Sequence, residues 1–422
     1  MRRNNYLWYQ FWRHAIVGNG LRFFYKKIKA VGKENLPKDK PILYIPNHQN
    51  SFMDALHVAI TTKPVIYFLT RAQAFNPDIV GKFLWSINML PVYRVRDGFS
   101  SIQKNNEIFE KCIRYLKNKE TVMIFAEANH NLKRRIRPLS KGFTRIAFGA
   151  EETYDWDLDL QIVPVGINYA RHRKAGNTVQ VNYGEPIPVK KYMDLFLKDE
   201  REGVEAMKDD VSEAMKKLVF HVGDLNEYHV QKILWDDLEP DEMKTVDPDI
   251  ANARIAKTKP HVSEAIIEKA KALNKKAEKA GVELKDLADQ EKLSIKHILL
   301  SPIYLFSFIN NLIPYQPVRH LIDHVIKDHA FDASIKFLLS LIAFPIFYGI
   351  VSIVLTLTGA GWPFILGYLL LSLITAPIFV QAKDLFTGSP KKKLLKQDPV
   401  LYKELQEELK IFRDLRETIL SE

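Results

Sequence analysis

Apolar and polar positions follow three regimes along the chain. In the first half, short apolar runs are separated by longer helical stretches. These runs are Ile42-Leu43-Tyr44-Ile45, Val65-Ile66-Tyr67-Phe68-Leu69, Val122-Met123-Ile124-Phe125 and Ile162-Val163-Pro164-Val165. Short strands interleaved with helices predict an α/β fold, a mixed sheet flanked by helices. From 191 to 296 the chain is highly charged with helical periodicity. Val204, Met207, Val211, Met215 and Leu218 fall on one face, and Glu239-Pro240-Asp241 and Asp247-Pro248-Asp249 read as turns, so a helical extension is predicted. In the third regime, Phe337 to Ala382 contains no Asp, Glu, Lys or Arg. A bilayer core takes about 20 apolar residues per helix, and Thr358-Gly359-Ala360-Gly361-Trp362-Pro363 divides the run with turn residues. A C-terminal transmembrane helical hairpin is therefore predicted, with helices at 335–357 and 362–382. Lys336 precedes it and Lys383, Lys391, Lys392, Lys393 and Lys396 follow it, which puts both ends, and the catalytic domain, on the cytoplasmic face.

The flanks refine this division. His297 to Tyr315 is also uncharged but carries Asn310, Asn311, Pro302 and Pro314, and reads as interfacial or re-entrant. Near the N-terminus, Tyr6, Trp8, Tyr9, Phe11, Trp12, Phe23, Phe24 and Tyr25 are interleaved with Arg2, Arg3, Arg13, Arg22, Lys26 and Lys27. That mixture suits either a helix in the headgroup layer or a first helix packing its aromatic face on a core. After Asp398-Pro399, the stripe Leu401, Leu405, Leu409, Phe412, Leu415 and Ile419 predicts an amphipathic helix, packed on the body or on a second copy. The expected parts are an interface helix at 1–27, a catalytic domain at 28–190, the helical extension at 191–296 and an interfacial segment at 297–334. The membrane hairpin at 335–382 and a basic segment with a helix at 383–422 complete the chain.

Composition narrows the class. Hydrophobic residues at 47% and charged ones at 26% exclude collagen-like and wholly disordered chains. Sixty-one Lys and Arg against 50 Asp and Glu give +11, which favours an anionic partner: a phosphate, a nucleic acid or an acidic lipid surface. The single Cys112 permits neither an internal disulfide nor a thiolate metal cluster.

Four segments carry candidate chemistry. Asn47-His48-Gln49-Asn50-Ser51-Phe52-Met53-Asp54 follows the 42–45 strand. A carboxylate on one imidazole nitrogen fixes the tautomer and frees the other nitrogen as a base. The same segment has a purely structural reading, since Ser51-x-x-Asp54 is nearly a capping box for the next helix. A six-residue spacing places the two groups on no common helix face, so His48 must sit in the loop with Asp54 reaching back from the first turn. The second segment, Leu90-Pro91-Val92-Tyr93-Arg94-Val95-Arg96, ends a strand-like run in arginines. In the third, Phe125-Ala126-Glu127-Ala128-Asn129-His130, a strand delivers Glu127 at its end. Lys133, Arg134, Arg135, Arg137, Lys141 and Arg145 follow, with no acid as far as Ala150. Strand ends are where α/β proteins place ligands. The fourth, Ile162-Val163-Pro164-Val165-Gly166, is a strand whose proline suggests an edge or terminal position.

In order and spacing, these four pieces resemble the blocks of the glycerolipid acyltransferases, the PlsC-type lysophospholipid and glycerol-phosphate acyltransferases. The resemblance covers about residues 28–190, including Val31-Gly32-Lys33-Glu34-Asn35-Leu36-Pro37 and Leu139-Ser140-Lys141-Gly142. It implies that His48 and Asp54 are the catalytic pair, Arg94 the second-block arginine, Glu127 the third-block glutamate and Pro164 the fourth-block proline. The family has His-x4-Asp; the form here is His-x5-Asp, similar to fungal-type glycerol-phosphate and dihydroxyacetone-phosphate enzymes. In the third block, Ala126, Ala128, Asn129 and His130 replace Pro, Gly, Thr and Arg of the family pattern. The phosphate contact is then left among His130, Lys133, Arg134 and Lys141.

The resemblance further implies an acyl-CoA or acyl carrier protein donor, a glycerol-phosphate or lysophospholipid acceptor, attachment to a bilayer, and no metal or cofactor. Backbone N–H groups near the helix after His48 are the expected oxyanion donors. Among rivals, a serine hydrolase lacks the Gly-x-Ser-x-Gly elbow. A nucleic-acid binder lacks a recognisable module and suits a membrane hairpin poorly, so no nucleic-acid partner is expected. A catalytically inactive lipid-binding or scaffolding relative, and a lysophospholipid acyltransferase of lipid remodelling, remain as alternatives.

Overall fold

A computed structural model describes residues 6–93, 99–288 and 299–422 of the chain. It divides into two compact units. The first is drawn from Met1–Leu21, Ile28–Asn168 and Val179–Val219. The second is drawn from Arg22–Lys27, Tyr169–Thr178 and Phe220–Glu422.

The eight strands are β1 (Lys27–Val31), β2 (Ile42–Pro46), β3 (Ile66–Arg71), β4 (Met89–Val92), β5 (Thr121–Met123), β6 (Gln161–Tyr169), β7 (Thr178–Tyr183) and β8 (Ile187–Pro188). They form one mixed sheet in the order β1-β7-β6-β2-β5-β3-β4, with β8 antiparallel to β6. β6, β2, β5, β3 and β4 run parallel, Leu43 standing opposite Val122 on one side and Ile162 on the other. Parallel strands covered on both faces need continuous apolar runs, and every residue of β2 and β6 is buried. Because these five strands share a direction, the segments that follow β2, β3, β4 and β5 leave the same edge of the sheet.

Pro164 does not sit at an edge or terminal position. It lies within β6, between β2 and β7, in register with Ile45. Its ring costs the strand one donor, while its carbonyl still accepts from the Gly184 N–H at 3.0 Å.

Helices cover the sheet. Ile108, Cys112 and Leu116 from Phe99–Lys117 pack in one core with Phe143, Ile146 and Ala147 from Gly142–Thr153. The charged region begins with a helix, Glu200–Lys217, whose stripe Val204, Met207, Val211 and Met215 enters this same core. Its end is fixed tightly: the Leu218 carbonyl accepts from both Asn168 Nδ2 and Asn182 Nδ2, at 2.9 and 3.0 Å. At Gly166, a Cβ would stand 2.1 Å from that same carbonyl oxygen. Only glycine allows this approach.

The N-terminal helical segment, Tyr6–Phe24, buries Tyr9 and Leu21. Trp12 meets Phe83 edge-on at 4.8 Å, and Arg13 donates to the Lys63 and Pro64 carbonyls. Tyr6, Leu7 and Phe11 remain exposed.

The second unit has its own core, where Phe220, Trp235 and Leu273 meet Leu405, Leu409 and Phe412 of the helix Pro399–Ser421. Arg254 and Arg416 each lie against the Trp235 ring, at 5.2 and 5.7 Å, and both donate to Glu239. The C-terminal helix therefore packs on the helical body of its own chain. Two helical stretches, His329–Leu357 and Trp362–Gln397, are long and apolar enough to cross a membrane. The start of the first is tied down by Asp332, which accepts from Arg173 Nε at 2.7 Å, and by Lys336, which donates to the Arg173 carbonyl. Between the body and these helices, Ser301–His324 is one continuous 24-residue helix, running through Pro314 and Pro317.

Candidate active site

β2 ends at Pro46, and the chain turns through Asn47–Ser51 into the helix Phe52–Thr61. Asn47 fastens the turn to β6, its side chain accepting from the Ile167 N–H at 2.7 Å and donating to the Ile167 carbonyl at 3.1 Å. Ser51 takes φ 48°, and its side chain makes no capping bond, so the capping-box geometry is absent. Asp54, in the first helical turn, instead reaches back. One carboxylate oxygen, Oδ2, accepts from His48 Nδ1 at 2.9 Å and from the Gln49 and Asn50 N–H groups at 2.9 and 2.8 Å. With Nδ1 carrying the proton towards Asp54, His48 Nε2 is left as an acceptor. The Gln49 and Asn50 N–H groups, which precede the helix after His48, are thus already committed to Asp54.

The His48 ring stacks on Phe125 with centroids 3.9 Å apart, and His130 stands edge-on to it at 5.6 Å. Asp54 is wholly buried and His48 partly so. Burial holds the His48 pKa below the ordinary histidine value, against the opposing hydrogen bond from Asp54. The imidazole is therefore neutral near pH 7.

β5 stops at Met123, so Glu127 lies beyond the strand end, in the turn after Phe125. The following loop folds over the His48 turn: the Asn131 N–H donates to the His48 carbonyl at 3.0 Å, and Gln49 Nε2 donates to the Lys133 carbonyl at 3.1 Å. Glu127 is buried and takes Arg137 Nε on Oε2 at 2.7 Å. Burial, opposed by Arg137, pushes the Glu127 carboxyl up to about 7. Ala128, where the resembling family has glycine, holds φ 62°.

The structure thus brings His48, Asp54 and His130 together, with the loop carrying Lys133 hydrogen-bonded to the His48 turn. Arg134 on that loop is buried. Lys141 is exposed and pairs with Glu205 at 3.6 Å. Arg94 lies outside the described residues. Arg137 is the functional candidate that residue spacing did not single out; its one sequence signal was membership of the basic run after Glu127.

Residues 27–168 match the family model described as Acyltransferase. Over 143 residues the chain is 29% identical to a 1-acyl-sn-glycerol-3-phosphate acyltransferase of Chlamydomonas reinhardtii, covering 34% of this chain and 38% of that protein. Over 112 residues it is 28% identical to glycerol-3-phosphate O-acyltransferase 2 of Saccharomyces cerevisiae, covering 26% of this chain and 15% of that one. The matches therefore span well under half the length of either curated relative. Among solved structures, the 1-acyl-sn-glycerophosphate (LPA) acyltransferase PlsC of Thermotoga maritima aligns with a TM-score of 0.37 at 19% identity, over 52% of this chain and 84% of that one. Residues 27–168 therefore resemble an acyltransferase-family domain.

Proposed function

We propose that the chain is a membrane-bound O-acyltransferase. It moves a fatty acyl group from acyl-CoA or an acyl carrier protein to a hydroxyl of glycerol-3-phosphate or 1-acylglycerol-3-phosphate. The observation that carries this reading is the His48–Asp54 pair, a neutral, oriented imidazole on the exit edge of a parallel sheet inside the domain that matches the acyltransferase family model. His48 Nε2 takes the proton of the acceptor hydroxyl as its oxygen attacks the thioester carbonyl. Asp54 stabilises the imidazolium, and the same proton passes to the thiolate when the C–S bond breaks. Assistance of this kind contributes about 10²–10⁴-fold.

Glu127, held by Arg137, orients the acceptor's hydroxyls. Arg94, His130, Lys133, Arg134 and Lys141 supply positive charge for its phosphate. The hairpin holds the chain in the bilayer that contains the product, with its lysine-flanked ends on the cytoplasmic face. The segments before and after the hairpin share one core, which supports both hairpin ends lying on the same side.

A second reading, a lipid-binding relative without turnover, is favoured by the four departures at Ala126, Ala128, Asn129 and His130. One experiment separates the two. Detergent-purified wild type and His48→Ala are supplied with labelled palmitoyl-CoA and either acceptor, and the lipid products are resolved. Transfer by the wild type alone supports the enzyme and names its acceptor. No transfer to either acceptor, nor from carrier-protein donors or to lysophospholipids, supports the lipid-binding relative.

A further inference from the structure

The helix Ser301–His324 is arranged inside out. Its buried residues include Ser307, Asn310 and Asn311, whereas Ile303, Leu305, Ile309 and Ile313 are exposed. The buried polar groups meet the two long apolar helices. Asn310 Nδ2 donates to Ser372 Oγ at 3.1 Å, and Tyr368 Oη donates to Asn310 Oδ1 at 3.1 Å. Tyr348 Oη donates to Asn311 Oδ1 at 2.5 Å, and Ser307 Oγ donates to the Thr375 carbonyl at 2.8 Å. Outside this network the apolar helices present Ile342, Ile346, Ile350, Ile353, Leu370 and Ile374. In water such a bundle would expose its apolar side chains and bury its amides, the reverse of what stabilises a soluble fold. In hydrocarbon both halves of the pattern are favourable, because amides there need protein partners and lipid covers the rest.

The depth of the network follows from helix rise. Tyr348 stands eleven residues beyond Phe337, the first residue after Lys336, which is about 16 Å at 1.5 Å per residue. Ser372 stands ten residues beyond Trp362, where the chain re-enters helix after the turn, which is about 15 Å measured from the opposite end. A hydrocarbon core is about 30 Å thick, so both partners of the Asn310–Asn311 pair lie close to its midplane.

We infer that Ser301–His324 is a membrane-embedded helix that enters and leaves on the face holding the hairpin ends, since Glu283 before it and Asp332 after it both pair with Arg173, and that it carries Asn310 and Asn311 to the middle of the bilayer, with lipid acyl chains covering its Ile303, Leu305, Ile309 and Ile313 face. Of the interfacial and re-entrant readings of the segment, this selects the re-entrant one. It is independent of the acyl-transfer reading and rests only on the hairpin lying in the membrane.

The test uses the full chain in phosphatidylcholine vesicles. Cys112 is fully buried and remains in place. An environment-sensitive fluorophore is attached to a cysteine at one exposed position at a time. Ile309→Cys and Ile313→Cys report the helix, Ile353→Cys the hairpin, and Leu225→Cys the aqueous body. Lipids with a nitroxide near the acyl-chain end should quench the labels at 309 and 313 as strongly as the label at 353, while aqueous iodide quenches only the label at 225. Iodide quenching at 309 and 313 would place the helix in water and overturn the inference. Shielding from both quenchers would put protein, such as a second copy of the chain, on that face, and would overturn it equally. Iodide quenching at 353 would remove the hairpin from the membrane and the inference with it.

Discussion

Arg137 Nε meets Glu127 Oε2 at 2.7 Å, where the Glu127 side chain is 1% exposed and that of Arg137 is 23% exposed. This is a buried acid held by one half-exposed base, so its charge depends on its neighbour and on pH.

The consequence for stability has a definite sign. Glu127 is raised from 4.5 in the unfolded chain to about 7 in the folded one. Between those values the folded state binds the extra proton, so stability falls as pH rises from 4.5 through 7, by roughly 3 kcal/mol at most. His48, whose pKa is lowered by burial, acts in the opposite direction as it loses its proton. Denaturant midpoints of wild type and Glu127→Gln across pH 4.5–8 isolate the Glu127 contribution. The variant should lose the falling component, and parallel curves would show that Glu127 ionises normally.

Removing Arg137 strips the partner from a buried acid. Loss of one member of a buried pair costs about 3–5 kcal/mol when the other stays charged, and less when it can take a proton. Arg137→Gln should therefore be clearly destabilised at pH 8 and nearer to wild type at pH 6, as read by thermal melting at the two pH values.

Asp54→Asn can keep the bonds from the Gln49 and Asn50 N–H groups through its amide oxygen, but it weakens the charge that orients and stabilises the His48 ring. The variant should stay folded, with a melting temperature close to wild type, while transfer falls by about 10²–10⁴-fold. Preserved turnover would reduce Asp54 to a structural role at the helix start.

Ala128 holds φ 62°, a region that costs a residue with a Cβ about 1–2 kcal/mol. Ala128→Gly relieves that cost but loosens the unfolded chain, leaving a net gain of about 1 kcal/mol. An unchanged denaturant midpoint would mean that the loop does not enforce the left-handed conformation.

At Gly166 the expected change is opposite. A methyl group 2.1 Å from the Leu218 carbonyl oxygen must push the end of the Glu200–Lys217 helix away from β6. Gly166→Ala should cost about 1–3 kcal/mol, the usual range for overpacking, seen as a lowered midpoint.

Much of this arrangement is legible in the residues themselves, for identifiable reasons. β2, β3, β5 and β6 stood out because strands buried on both faces must be continuously apolar, and the parallel centre of the sheet is built from them. β1 and β7 were missed. Lys27-Ile28-Lys29-Ala30-Val31 and Thr178-Val179-Gln180-Val181-Asn182-Tyr183 mix polar residues into short runs, and only the completed sheet shows that every residue of β7 is buried. The helical stripe from Val204 to Met215 was readable as a stripe, but periodicity names no partner, and the stripe joins the sheet's core rather than a separate helical body. At the site, spacing allows a His48–Asp54 pair only with Asp54 reaching back from the first turn, and the capping alternative is settled by Asp54 accepting from His48 Nδ1. The Glu127–Arg137 pair did not follow from spacing, because ten residues of irregular loop bring the two together and any of several nearby cations had equal claim.

The C-terminal helix adds a constraint on how the molecule is made. Leu405, Leu409 and Phe412 complete a core whose other half, Phe220 to Leu287, leaves the ribosome before the two long apolar helices do. During synthesis that earlier half stands with Trp235 and Leu273 uncovered until both long helices and the residues after them have followed. Domains generally fold as they emerge, but this core waits for residues that follow both long apolar helices, so if those helices form the proposed membrane hairpin, a block in its insertion would surface as misfolding of the helical body as well.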